Sequence, residues 1–129
     1  MNESDILKYN KFLHDCAHDK DRAVRCLTAS NSNAPAHLLD LLAKDEEKVI
    51  RFSVAMNPNV SPIALEILSK DDNFYVRYLV AKHPKTPINV IETLVKDECK
   101  IVRNGITQNP KATETLKRLV LLENSKYND

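Results

Sequence analysis

The sequence repeats with a fixed period, and this feature restricts the possible folds more than any other. Each copy holds a Val-Arg or Ile-Arg pair, and an aspartate stands six residues before the arginine. The arginines are Arg25, Arg51, Arg77 and Arg103, and the aspartates are Asp19, Asp45, Asp71 and Asp97; both sets are spaced by 26 residues. Such a period is typical of proteins that stack copies of one small unit, because a single unit cannot bury its own apolar face.

Each copy predicts two short helices. In the third copy, residues 73–83 carry Val76, Leu79 and Val80 at helical spacing, and Pro84 should end the helix because proline lacks an N–H. The second helix begins at Ser-Pro or Thr-Pro, where we expect the hydroxyl to cap N–H groups and proline to take the first helical position. Two apolar columns should form the core: Val24, Ile50, Val76 and Val102 in the first helices, and Leu42, Leu68, Leu94 and Val120 in the second.

The predicted fold is all-α, an α-solenoid of about four 26-residue two-helix repeats in a single domain of residues 1–129. The repeats span residues 19–44, 45–70, 71–96 and 97–123, between an N-terminal capping helix within residues 1–18 and a polar, frayed tail at 124–129. The capping helix should cover the first repeat with Ile6, Leu7, Phe12 and Leu13. The last helix, residues 112–123, should turn Leu116, Leu119 and Val120 inward and Lys117 outward.

The order of motifs in one copy resembles the leucine-rich repeat variant family, which is similar to HEAT repeats. The motifs are Asp, Val-Arg, Val-Ala, Asn-Pro or His-Pro, Thr-Pro or Ser-Pro and a Leu-rich segment, over residues 19–123. The resemblance implies a right-handed superhelix whose second helices are either α or 3₁₀. It also implies an N-terminal cysteine cluster that holds iron and sulfur. Only Cys16 and Cys26 lie near the N-terminus, and a cluster needs four thiolates, so we expect no such cofactor here.

The repeated Asp and Arg allow two interpretations. In the first they form a structural ladder, in which the aspartate caps the helix or accepts from the arginine of its own or a neighbouring repeat. In the second, the arginines follow a nucleic-acid backbone, as concave basic residues do in HEAT-like alkylpurine DNA glycosylases. The ladder is favoured because each arginine has an aspartate at a fixed offset, which leaves little positive charge for counterion release.

A stripe at positions i, i+4 and i+8 of the first helices lies outside the repeating core pattern, so we expect it to face solvent. The middle of the stripe is apolar and aromatic, and its ends are charged, which is typical of a protein-contact surface. The predicted contact residues are Lys48, Phe52, Met56, Phe74, Tyr78 and Lys82. The alternative is that Phe52 and Phe74 pack between neighbouring helices. The sequence therefore predicts a non-enzymatic scaffold that binds a protein or peptide, with nucleic-acid binding through the repeated arginines and lysines as the alternative.

Composition and isolated residues exclude other classes of function. The chain has a single glycine, Gly105, so Gly-rich phosphate loops are excluded. The formal net charge is +1, with no long apolar stretch and three cysteines without a CxxC pair. These features predict a cytoplasmic protein without a membrane span. His14 and His18 could share a metal with Cys26, but no strong ligand spacing supports this, and no nucleophile lies beside a base. We therefore predict no metal, no cofactor and no catalytic residue.

Overall fold

The computed structural model describes residues 1–127, and in this part of the chain all regular secondary structure is helical, with no strand. The all-α prediction is therefore confirmed. The helices are α1 (Glu3–Ala17), α2 (Arg22–Ser30), α3 (Ala36–Leu42), α4 (Lys48–Met56), α5 (Pro62–Leu68), α6 (Phe74–Lys82), α7 (Ile88–Leu94), α8 (Lys100–Thr107) and α9 (Glu114–Ser125).

The helices follow the 26-residue period of the sequence. We call α2, α4, α6 and α8 the A helices and α3, α5, α7 and α9 the B helices. The A helices begin at residues 22, 48, 74 and 100, and the B helices begin at 36, 62, 88 and 114. Proline takes the first helical position, as predicted, only in α5, which begins at Pro62. In α3 and α7 the proline, Pro35 or Pro87, is the N-cap residue just before the helix. The B helices are α-helical, so the 3₁₀ alternative does not apply.

The chain divides into two compact units, Met1–Ser61 and Pro62–Asp129. In the first unit, α1 packs on α2 and α3, and α2 packs on α4. In the second unit, α6 packs on α8, and α8 packs on α9. Each unit therefore places A helices from consecutive copies side by side, and a B helix packs against the A helix that follows it, α3 on α4 and α7 on α8.

The predicted apolar columns form the core of each unit. Ile50, Val76 and Val102 are buried, and Val24 of the first copy is partly exposed. The second column is buried at every position: Leu42, Leu68, Leu94 and Val120. Burial of a side chain of this size stabilises a fold by about 1.5–3 kcal/mol. Short helices of seven to nine residues depend on this packing, because helices of that length are marginal in water.

The capping helix packs through fewer residues than the sequence predicted. Leu13 and Ala17, one turn apart near the end of α1, are its buried residues. Ile6, Leu7 and Phe12 are exposed, Leu7 by 69%, so the prediction that they cover the first repeat is wrong. The reason is geometric: Leu7 and Phe12 lie on other faces of α1 than Leu13 and Ala17, and Ile6 shares their face but lies two turns nearer the start of the helix.

The last helix is shifted from its predicted position. Leu116 and Val120 are buried as expected, but Leu119 is exposed, so the prediction that Leu119 faces inward is wrong. The helix continues to Ser125, and Asn124 is buried, so the frayed tail does not begin at residue 124. The stripe of 116, 120, 123 and 124 faces inward, and Leu119 lies off that stripe. The predicted tail residues 128 and 129 lie outside the described residues.

The hydroxyl of Thr86, which precedes Pro87, does not cap α7. Thr86 Oγ1 donates to the Val80 carbonyl at 2.7 Å, and Ser61 Oγ donates to Asp40 Oδ1 at 2.6 Å. The helices α3 and α7 have no side-chain cap. In α7 the N-cap position is taken by Pro87, which puts the hydroxyl of Thr86 one residue too early to reach the first N–H groups.

Candidate functional site

The four repeated aspartates shape the turn before each A helix. In each case Oδ1 accepts a hydrogen bond from the N–H two residues later, at 2.8–2.9 Å, an Asx turn. The acceptors are Asp19, Asp45, Asp71 and Asp97. The aspartates are therefore not the helix N-caps; Asp21 and Asn73 hold that position in α2 and α6 and accept from the first turn.

Arg25 and Arg77 bond both their own copy and the next. In the second unit, Arg77 Nη1 donates to the carbonyls of Asp71 and Asp72 at 2.7 and 3.2 Å. Its Nε and Nη2 donate to the Asp97 carboxylate at 2.9 and 3.2 Å. This hydrogen bond raises the pKa of Arg77 above its ordinary value. The ladder therefore joins consecutive copies through a bidentate contact between the guanidinium of one copy and the carboxylate of the next.

The first unit repeats the same contact. Arg25 Nε donates to Asp45 Oδ2 at 2.8 Å, and its Nη1 donates to the Asp19 carbonyl at 2.8 Å. The bond to Asp45 raises the pKa of Arg25 above its ordinary value. Arg51 Nη1 likewise donates to the Asp45 carbonyl at 2.8 Å. The guanidinium groups of these arginines thus point into the turns of the A helices.

The ladder ends differently at Arg103, whose side chain is 2% exposed. Its Nη1 donates to the Asp97 carbonyl at 2.6 Å, and its Nε donates to Asn124 Oδ1 at 2.7 Å. The guanidinium also lies 4.6 Å from the centre of the Tyr127 ring. Glu123, the residue 26 positions after Asp97, bonds Lys126 instead, and this bond lowers the pKa of Glu123. A neutral amide thus replaces the carboxylate at the last rung.

A second polar ladder runs through the asparagines that precede the prolines, and the sequence reading missed it. Asn109 Nδ2 donates to the carbonyls of Ala81 and His83, both at 2.9 Å, and Oδ1 accepts from the Lys111 N–H. Asn57 makes the same three bonds in the first unit, to Ala29, Asn31 and Asn59. Each asparagine therefore satisfies carbonyls at the end of the preceding A helix. The sequence feature that could have indicated this ladder is the recurrence of Asn before Pro at the same position of the copies.

His83 stands where the second and fourth copies have asparagine. Its side chain is buried, and Nδ1 accepts from the Lys85 N–H at 3.1 Å. The imidazole nitrogen thus replaces the amide oxygen of Asn57 or Asn109. The interpretation of His83 as a turn residue is confirmed.

The predicted stripe lies on the outward side of the A helices in each unit. In the first unit Lys48 and Met56 are exposed, Met56 by 58%, and Phe52 is half-buried. In the second unit Phe74 and Lys82 are exposed, and Tyr78 is half-buried. The ends of the stripe therefore reach solvent more fully than its middle position.

Three aromatic side chains of α6 form a continuous cluster, which we call the aromatic platform: Phe74, Tyr75 and Tyr78. Phe74 and Tyr75 meet edge to face at 6.4 Å, and Tyr75 and Tyr78 lie 5.3 Å apart. Phe74 is 43% exposed and Tyr75 is 42% exposed. Tyr75 was not predicted. The sequence feature that could have identified Tyr75 is the apolar residue at the same position of α4 and α8, Val49 and Ile101, both of which are also exposed.

Tyr78 is held from three sides. Its hydroxyl donates to Gln108 Oε1 at 2.8 Å, and Lys82 Nζ lies 5.2 Å from the ring centre. Below the ring, α8 presents Gly105, where an added Cβ would come within 2.9 Å of Tyr78 Cδ1. The glycine thus permits α8 to approach α6 closely enough for Gln108 to reach the hydroxyl.

The three metal candidates do not form a ligand set. The rings of His14 and His18 lie 4.4 Å apart, with His18 Nδ1 2.9 Å from the His14 carbonyl oxygen, and Cys26 Sγ lies 3.6 Å from Ser53 Oγ. Within residues 1–127, no group of three or more His, Cys, Asp or Glu side chains is arranged to hold a metal ion. Over the same residues, no helix combines the length and apolar character needed to cross a bilayer.

Comparisons of the chain with protein-family models, with curated proteins and with solved structures find no match. Inferences about function therefore depend on the geometry of these two units.

Proposed function

We propose that this chain is a non-enzymatic repeat scaffold that binds a protein or peptide on the outward face of its A helices. The observation that carries the proposal is the aromatic platform, which exposes two rings by more than 40% on a helix whose other side is buried. Tyrosine and other aromatic residues dominate the energetics of protein contacts because they bury large areas with few rotatable bonds.

The proposal includes the finer architecture, a right-handed α-solenoid of four repeats similar to the leucine-rich repeat variant family. Its support is the common 26-residue spacing of A and B helices, together with two polar ladders that recur in each unit. Scaffolds of this kind bind partners on surfaces whose residues vary from copy to copy. The stripe varies in this way, whereas the Asp, Arg and apolar columns do not.

The inward direction of the arginines favours this function over binding of a nucleic-acid backbone. Arg77 is 9% exposed and Arg103 is 2% exposed, and both donate to protein oxygens. A phosphate would have to replace those acceptors and leave a carboxylate or carbonyl without its partner. Counterion release gains affinity from cations that are not already neutralised.

A peptide-display selection against the immobilised protein tests the proposal. Recovered peptides are synthesised, and their affinity is measured by fluorescence polarisation for the wild type and for the double variant Phe74→Ala/Tyr75→Ala. We expect at least about a tenfold loss of affinity, because truncated anchors of this kind cost about 2 kcal/mol or more. The matched control is Ile88→Ala, which removes an apolar side chain of α7 with 44% exposure and should change affinity by less than about twofold.

A labelled oligo-uridine strand serves as the competing probe. The scaffold proposal is contradicted if no peptide is recovered, or if recovered peptides bind the double variant as tightly as the wild type. It is also contradicted if oligo-uridine binds more tightly than any peptide, with a steep loss of affinity as salt increases.

A further inference from the structure

The charged residues of the A helices are all of one sign. The helices α2, α4, α6 and α8 contain no aspartate and no glutamate. Their basic residues outside the arginine ladder are all exposed: Arg22, Lys48, Lys82 and Lys100. The acidic residues instead lie in the turn before each A helix, where Asp97, for example, is bonded to Arg77 and to the Cys99 N–H, and in the B helices.

In the second unit three lysines gather at the other end of these helices. Lys82 ends α6, Lys85 follows in the turn to α7, and Lys111 lies in the corresponding turn after α8. The turns are adjacent, because Lys111 Nζ donates to the Thr86 carbonyl at 3.0 Å. We call Lys82, Lys85 and Lys111 the lysine cluster. It borders the aromatic platform directly, since Lys82 lies over the Tyr78 ring.

The lysine cluster is not required by the repeat. Ser30 and Met56 occupy the position of Lys82 in the first two copies, and Asn33 and Asn59 occupy the position of Lys85 and Lys111. Asn59 even makes the bond that Lys111 makes, by donating to the Ala34 carbonyl. An amide therefore suffices for the turn, and the local fold does not require the positive charge of the lysines.

We propose that the partner of the second unit is an acidic peptide segment with apolar anchors. Its apolar side chains pack on Phe74 and Tyr75, and its carboxylates pair with Lys82 and Lys85. The inference rests on the proposed function and specifies its partner. Charge complementarity at the rim of an apolar contact raises the association rate and excludes partners of the wrong sign.

The arrangement fits a short acidic segment better than a nucleic-acid strand. A polyanion that followed the A helices would pass from the lysine cluster to the carboxylates of Asp72 and Glu98 at the opposite end. The Glu98 side chain is 91% exposed and only 3.9 Å from Arg77 Nη2, so a phosphate there would meet its carboxylate and compete with it for the arginine. A peptide with its acidic residues at one end and its apolar residues at the other meets no such conflict.

Charge reversal tests the inference. Peptides are selected separately on the wild type and on Lys82→Glu/Lys85→Glu, and both pools are sequenced. We expect Asp and Glu to be enriched in the wild-type pool and Lys and Arg in the variant pool. Wild-type peptides should bind the variant at least about tenfold more weakly. The matched control, Lys70→Glu/Lys96→Glu, makes the same charge change in the turns before α6 and α8. It should bind the wild-type peptides with an affinity within about twofold of that of the wild-type protein.

The set of outcomes distinguishes failure of the acidic partner from failure of the scaffold function. Peptides that depend on Phe74 and Tyr75 but carry no excess of acidic residues, or that bind the charge-reversed variant normally, overturn the acidic partner and leave the scaffold function intact. Failure to recover any platform-dependent peptide overturns both. Binding of oligo-uridine that is lost in Lys82→Glu/Lys85→Glu shows a nucleic-acid partner and also overturns the inference. Far-ultraviolet circular dichroism of every variant establishes that it is folded.

Discussion

Buried polar side chains set the register between consecutive copies in each unit. An apolar column alone tolerates small displacements, because contacts between Val, Ile and Leu are not directional. The guanidinium of Arg77 and the amide of Asn109 each donate two or more bonds at fixed angles. Displacement of α8 along α6 would break these bonds and leave buried carbonyls without donors, which costs about 1–3 kcal/mol for each group.

The substitution Asn109→Ala tests this role at a single residue. It removes the donors to the Ala81 and His83 carbonyls and the acceptor for the Lys111 N–H. We expect a loss of about 1–3 kcal/mol in the free energy of unfolding, measured by urea denaturation. Asn89→Ala, at an exposed position of α7, should change it by less than about 0.5 kcal/mol. Equal stability of the two variants would show that the amide bonds do not hold the copies together.

The sequence identified the residues of the arginine ladder but not the direction of their bonds. The fixed offset between Asp and Arg indicated pairing, yet a flexible arginine can reach either neighbour, and only the packed turns select the next copy. The asparagine ladder was missed for a different reason. Asn before Pro has a sufficient local explanation as a helix stop, so nothing in one copy signals that the amide contacts the previous one.

At the scale of the helix, the outward face of α6 depends on how closely α8 approaches. Gly105 lies beneath Tyr78, and the hydroxyl of that tyrosine reaches Gln108 of the same neighbour. The ring is therefore positioned by contacts with α8 and not by α6 alone. A platform held in this way would lose little side-chain entropy on binding the proposed partner.

The substitution Gly105→Ala separates helix propensity from packing. Alanine favours the helix by about 1 kcal/mol over glycine, but its Cβ would lie 2.9 Å from Tyr78 Cδ1 and 3.2 Å from the Tyr78 carbonyl oxygen. We expect the overlap to dominate, with a net loss of about 1–3 kcal/mol in stability and a changed near-ultraviolet tyrosine signal. Thr107→Ala, exposed on the same helix, should be neutral or slightly stabilising. A stabilised Gly105→Ala would contradict the close approach.

The sequence located the helices more reliably than their exposed faces. Helical spacing and proline marked each element to within a few residues, because those signals are local. The platform was only partly predicted, since a rule of i, i+4 and i+8 follows one row of side chains, whereas the exposed face of a helix is wider and includes Tyr75. The exposed residues of α1 and α9 were misjudged because helix orientation depends on the neighbours against which each helix packs.

At the scale of the whole molecule, the positions within each copy fall into two groups. Positions that recur with the same kind of residue supply the core and the ladders, and positions that vary supply an outward surface that differs between copies. Stability in such a system is close to a sum over copies and their interfaces. We therefore expect changes at the surface positions to have little effect on the fold, and loss of one copy to lower stability without abolishing the fold.

The most direct test of this account is deletion of one period. Removing residues 71–96 joins Lys70 to Asp97, an aspartate of the same column, whereas removing residues 71–90 breaks the register. Helicity and thermal unfolding of both proteins are followed by circular dichroism. We expect the first to unfold cooperatively at a lower temperature than the wild type, and the second to show no cooperative transition. Loss of the transition in the first, or the same transition in both, would contradict the 26-residue unit.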